Sequence, residues 1–118
     1  ATHDALTGLP NRLFLRDRFG ARRHADALVA VIDVDDFKRV NDRHGHAGGD
    51  ALLRELGRRL AAAVSEGGLV ARVGGDEFVV VEPQACYSAE DFAAKLLDVA
   101  RAPFDLPGGT HRAGISVG

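Results

Sequence analysis

The chain has 118 residues, 46% hydrophobic and 27% charged, a composition that fits one globular domain and excludes a disordered or fibrous chain. Fifteen lysines and arginines stand against 17 aspartates and glutamates, so the formal charge is −2, no global field draws the domain onto nucleic acid or anionic lipid, and phosphate binding must be local. The lone Cys86 cannot close an intrachain disulfide or build a Cys-rich zinc site, and the longest apolar run, Ala27 to Ile32, falls far short of the roughly 18 residues of a membrane span. The expectation is a cytoplasmic domain with no direct membrane insertion, cut from a longer parent whose anchoring stays open.

The opening stretch from Asp4 to Arg12 is rich in turn formers. Leu13, Phe14, Leu15 and Phe19, set among Arg16, Asp17, Arg18, Arg22 and Arg23, predict a short amphipathic helix ending near Gly20. Leu28-Val29-Ala30-Val31-Ile32 is a branched apolar run and predicts a fully buried strand, which ends abruptly in Asp33, Asp35 and Asp36. A Gly- and His-containing loop from Arg43 to Asp50 precedes a helix in which Leu52, Leu53, Leu56, Leu60, Ala63 and Val64 recur at three- and four-residue spacing. Gly67-Gly68 serves as its stop.

Leu69 to Val73 and Phe78 to Val81, joined by Gly74-Gly75-Asp76-Glu77, predict a β-hairpin whose turn displays two carboxylates. Ser88 caps a further helix that runs to Ala100 through Phe92, Leu96 and Leu97, and Pro103 terminates it. Phe104 to Leu106, the Pro107-Gly108-Gly109 turn and Thr110 to Val117 suggest a last hairpin. This order gives an α/β sandwich, with a mostly antiparallel central sheet flanked by helices.

The aspartates at the first strand's end and the Asp76-Glu77 pair converge if their strands are neighbours. Converging hard oxygens suit Mg²⁺, which takes one or two carboxylates and leaves its other positions to water and substrate phosphates. The alternative is that these residues are only turn formers and caps. Gly74-Gly75 offers positive φ and exposed main-chain N–H groups to an anion. Asn41, His46 and Asp50 lie in or beside the loop before the long helix, where an amide and a carboxylate can read the edge of guanine. Lys38 and Arg72 are candidate phosphate contacts, against a default of facing solvent.

Arg72-Val73-Gly74-Gly75-Asp76-Glu77-Phe78 resembles the signature of the GGDEF family, the diguanylate cyclases. Three further blocks agree with it: Asp4-Ala5-Leu6-Thr7-Gly8-Leu9-Pro10-Asn11-Arg12, Asp33-Val34-Asp35-Asp36-Phe37-Lys38 with Asn41-Asp42, and Gly45-His46-Ala47-Gly48-Gly49-Asp50. The resemblance covers essentially the whole chain. It implies a fold like that of nucleotidyl cyclases and polymerase palms, and a homodimer that condenses two GTP into cyclic di-GMP and two pyrophosphates. It assigns Mg²⁺, with Mn²⁺ as a substitute, to Asp33, the Val34 carbonyl, Asp76 and Glu77. Asp76 also helps to deprotonate the attacking hydroxyl, with Glu77 assisting. Asn41 and Asp50 read guanine, His46 lies close to substrate, and Phe37, Lys38, Gly74 and Gly75 hold the phosphates.

Two departures from the family pattern bear on function. The family's product-inhibition motif is Arg-x-x-Asp, and its two positions here hold Ser65 and Gly68, so no feedback through that site is expected. The family also continues past Gly118 with a helix and a last strand, so residues 1–118 are expected to form a partial domain. A non-catalytic GTP-binding module attached to an EAL-type phosphodiesterase is the alternative function, and sensor domains in the parent are implied under either reading.

Overall fold

The computed structural model describes residues 2–19, 27–83 and 88–118. Cys86 and residues 20–26, including Gly20, Arg22 and Arg23, lie outside them. The elements in chain order are α1 (Arg12–Phe19), β1 (Leu28–Val34), α2 (Phe37–Ala63), β2 (Leu69–Arg72), β3 (Glu77–Glu82), α3 (Ala89–Val99), β4 (Phe104–Leu106), β5 (Gly109–His111) and β6 (Ile115–Val117).

The central sheet has the order β2-β3-β1-β6, and every pairing in it is antiparallel. Side chains alternate across a strand, so Ala30, Ile32 and Val34 of β1 share a face with Phe78 and Val80 of β3. That face is buried against Leu52, Leu53, Leu56 and Leu60 of α2 and Phe92 and Leu96 of α3, with Phe104 of β4 completing the core. The expected full burial of β1 does not hold. Val29 and Val31 point to the opposite face and are 60% and 40% exposed, because an apolar run can alternate in burial without alternating in chemistry.

The loop expected from Arg43 to Asp50 is helical instead. One residue, Gly45, leaves helical geometry with φ 74° and ψ 173°, and α2 kinks there and resumes. Gly48 and Gly49 stay helical, and the chain before the kink leaves them no room for a side chain. A Cβ on Gly49 would stand 1.9 Å from Asn41 Oδ1, and one on Gly48 would stand 2.3 Å from His44 Cβ. The helix also stops at Ala63, ahead of Gly67-Gly68. The α3 expectation holds, with the Ser88 hydroxyl accepting the Asp91 N–H at 3.1 Å.

The last hairpin is shorter than its sequence suggests. Only β4 and β5 pair with each other, while the chain breaks at Arg112 to Gly114 and β6 crosses to the free side of β1. The main-chain groups of Gly118 and Val31 exchange hydrogen bonds at 2.9 and 3.0 Å and extend that pairing.

Candidate active site

The antiparallel register of β1 and β3 sets Asp33 directly opposite Glu77. Opposed residues on one face hold their Cβ atoms about 5 Å apart. One step further along, the Val34 N–H donates to the Asp76 carbonyl at 3.2 Å, so the ladder continues into the turn and keeps Asp76 beside Val34. Asp33 is exposed and Asp76 and Glu77 are half-buried, so the carboxylates reach solvent at one end of the two central strands. The sequence-level condition for convergence, neighbouring strands, is met.

The turn that carries Asp76 is tied down from two sides. Val73 N–H donates to Glu77 O at 2.9 Å. The Arg72 guanidinium donates to the Gly75 carbonyl at 2.7 Å through Nη2, and to both Asp4 oxygens at 3.0 and 3.1 Å through Nη1. Arg12 adds a bond from Nη2 to the Val73 carbonyl at 3.1 Å. The opening block is therefore a clamp on the turn. Its own shape comes from Asp4, which accepts the Thr7 N–H and hydroxyl at 2.8 Å each. Burial raises the Asp4 pKa, but the bonds from Thr7 and Arg72 outweigh it and hold the carboxyl below its usual range. Sequence reasoning missed this contact because 68 residues separate Asp4 from Arg72. Arg72, read earlier as a candidate phosphate contact, is committed to the clamp.

Two other readings change. Neither Gly74 nor Gly75 has positive φ. Gly74 lies in a close approach instead, since a Cβ there would stand 3.3 Å from Glu77 Cβ. Asp35 and Asp36 do not join the carboxylate cluster. The Ser116 hydroxyl donates to Asp35, and Asp36 takes the left-handed conformation that starts α2. Both lie in the turn between β1 and α2, the turn-forming role weighed for them as the alternative, and Asp36 holds the N-cap position without a side-chain capping bond.

The remaining predicted residues lie on the first half of α2, which follows β1. Phe37 is half-buried against the core at the start of α2, and Lys38 beside it is exposed. Across the Gly45 kink, Asn41 lies against the backbone of Gly49, with Phe37 Cζ 3.1 Å from the place of a Cβ there, so the fold brings Phe37 and Asn41 together one residue before Asp50. His46 follows the kink and is exposed. Among the described residues no three His, Cys, Asp or Glu side chains already form a metal-binding group. A cation here would rely on Asp33, Asp76, the Val34 carbonyl and ligand oxygens, an all-oxygen set that fits Mg²⁺ or Mn²⁺.

The family model for the diguanylate cyclase GGDEF domain matches residues 1–118. The chain belongs to the GGDEF family. This GGDEF domain is 40% identical over 118 residues to the diguanylate cyclase TpbB of Pseudomonas aeruginosa, a match that covers 93% of the chain and 27% of TpbB. It is 40% identical over 111 residues to the cyclic di-GMP phosphodiesterase PdeR of Escherichia coli, covering 90% of the chain and 17% of PdeR. The chain thus spans less than a third of either relative. Its fold superposes on the solved GGDEF domain of TpbB with a TM-score of 0.86 at 38% identity, covering 98% of this chain and 73% of that one. The palm-like fold expected from the sequence is the fold found. Among the described residues, no helix of this GGDEF domain is long and apolar enough to cross a membrane.

Proposed function

We propose that this domain is a diguanylate cyclase, which condenses two GTP into cyclic di-GMP and two pyrophosphates across a homodimer within a larger signalling protein. The observation that carries the reading is the register that opposes Asp33 to Glu77 and holds Asp76 beside Val34. Asp33, Asp76 and the Val34 carbonyl would hold Mg²⁺ or Mn²⁺, with Glu77 assisting. Bound there, the ion would supply positive charge at the reacting phosphate and ease deprotonation of the attacking hydroxyl.

Asn41 and Asp50 fix the guanine, with His46 close by. The main chain at Phe37 and Lys38 and the N–H groups of Gly74 and Gly75 hold the phosphates. Each 3′-hydroxyl then attacks the α-phosphate of the GTP on the other domain. A phosphodiester bond forms, the bond to pyrophosphate breaks, and Asp76 takes the hydroxyl proton. Two such steps close the ring, so neither domain completes the product alone.

The test is to incubate the full chain that carries this domain with GTP and Mg²⁺ and to follow cyclic di-GMP and pyrophosphate by chromatography. Product is expected at a rate per domain that rises with protein concentration, and none from Asp76→Ala. The relative PdeR favours a second reading, a GTP-binding module that regulates a phosphodiesterase. GTP binding without product in a confirmed dimer would favour that reading over the cyclase.

A further inference from the structure

The β6 side of the β1 end, opposite the side that carries Glu77, holds a second polar cavity of about 240 Å³. Arg39 and Arg43, one helical turn apart on α2, and Arg112, in the link between β5 and β6, line it together with His111. Among the described residues, none of these three guanidinium groups has a hydrogen-bond or ion-pair partner, whereas Arg58, Arg59 and Arg72 are all paired. Asp35 and Asp36 also border the cavity, and the Asp35 carboxylate accepts the Ser116 hydroxyl. The wall is fixed where His44 Nε2 and His111 Nδ1 meet at 3.2 Å with their rings edge to face, a contact that docks the β4–β5 hairpin onto α2 just before Gly45.

Three arginines outnumber the two aspartates that line this concave surface, so an anion bound there meets a net positive charge. The guanidinium forks match the tetrahedral oxygens of a phosphoryl group. The volume is below the roughly 300 Å³ at which sites for drug-sized ligands begin, so a purine nucleoside does not fit inside, while a phosphate or pyrophosphate does. We propose that this cavity is a second anion site, separate from the carboxylate cluster, that takes a phosphoryl ion of pyrophosphate size.

A second property follows from the groups around His111. Burial, then His44, then Arg43 push its pKa down, and Arg39 and Arg112 add positive charge, against Asp35 and Asp36. His111 is therefore neutral in the free protein near pH 7. A bound phosphoryl anion would offset the surrounding arginines and favour the protonated ring. Binding then takes up a proton and tightens as the pH falls.

The experiment uses the full chain in EDTA, which removes any divalent ion from the carboxylate cluster and stops turnover. Sodium pyrophosphate, and separately inorganic phosphate and cyclic di-GMP, are titrated in by calorimetry at pH 7.5 and pH 6.0. Saturable pyrophosphate binding is expected, tightened several-fold at the lower pH. It should weaken about a hundredfold in the Arg39→Gln, Arg112→Gln double variant, because each lost charge-assisted bond is worth about a factor of ten. Arg54→Gln, an exposed arginine elsewhere on α2, and Asp33→Ala should bind as the wild type does. Absence of saturable binding, equal weakening in Arg54→Gln, or loss in Asp33→Ala would each overturn the proposal, as would a preference for cyclic di-GMP over pyrophosphate. Because the readout needs neither metal nor catalysis, it stands or falls apart from the cyclase reading.

Discussion

Substitution of Gly49 by alanine separates helix stability from guanine recognition. A Cβ at this position would meet Asn41 Oδ1 at 1.9 Å, Asn41 Cγ at 3.0 Å and Phe37 Cζ at 3.1 Å. No Cβ tolerates the first of these, so the Asn41 amide must leave its place. Helix propensity alone favours alanine over glycine by about 1 kcal/mol, and overpacking costs about 1–3 kcal/mol, so the net loss of stability is about 2 kcal/mol or less and the domain still folds. Loss of the Asn41 amide from guanine forfeits about 1 kcal/mol or somewhat more. The KM for GTP should therefore rise about tenfold with little change in kcat. The decisive assay is a double-mutant cycle with Asn41→Ala, reading KM and the urea midpoint in all four proteins. In the Asn41→Ala background, Gly49→Ala should leave KM unchanged. An equal rise in KM in both backgrounds, or no rise in either, would refute the reasoning.

Three further outcomes follow from the same geometry. Arg72→Lys keeps the charge but cannot span Asp4 and the Gly75 carbonyl at once, so it should cost about 2 kcal/mol in urea unfolding and lower kcat, and an unchanged midpoint would show that the clamp is idle. The Arg58 hydrogen bond above all, opposed by burial and reinforced by Arg59, holds the Glu55 pKa at about 2, against 4.5 for an ordinary glutamate. A depressed carboxylate stabilises the fold above its unfolded pKa and loses that contribution as the pH falls through its folded value, so Glu55→Gln should cost about 1 kcal/mol at pH 7, after solvent screening of a side chain 31% exposed, and only a small fraction of that at pH 2. Cyclic di-GMP should not inhibit turnover through the Ser65 and Gly68 positions. Installing arginine and aspartate there should fail to introduce inhibition, because a Cβ on Gly68 would lie 2.9 Å from the Ser65 carbonyl and 3.1 Å from that of Val81, and a dose–response with product checks both statements.

The parts of the fold that local chemistry determines could be read directly. The apolar run ending in aspartates is β1, the glycine-bearing acidic turn joins β2 to β3, and Ser88 starts α3 as a capping serine should. The loop misassigned before Asp50 shows where such reading stops. Gly45, Gly48 and Gly49 look alike in sequence, yet only Gly45 breaks the helix, while the other two are helical glycines that admit His44 and Asn41. Val29 and Val31 mislead in the same way, because residue type does not reveal which face of a sheet is covered.

At the site, convergence of the carboxylates needed one long-range fact, the β1–β3 register, and spacing could only state it as a condition. The sorting of Asp33 from Asp35 and Asp36 depended on β6, which supplies Ser116 from 81 residues away. The Asp4–Arg72 clamp had no local signal at all. Each half has an ordinary alternative, a turn former and a surface arginine, and only the folded chain brings them together.

The central claim is that Asp33 and Asp76 share one divalent ion with the GTP phosphates. The most direct measurement is Mn²⁺ binding to the full chain, followed by electron paramagnetic resonance, with GTP present and in the Asp33→Ala and Asp76→Ala variants. The account predicts GTP-dependent Mn²⁺ binding that falls at least tenfold in either variant while circular dichroism stays unchanged. Wild-type Mn²⁺ affinity in both folded variants would contradict it.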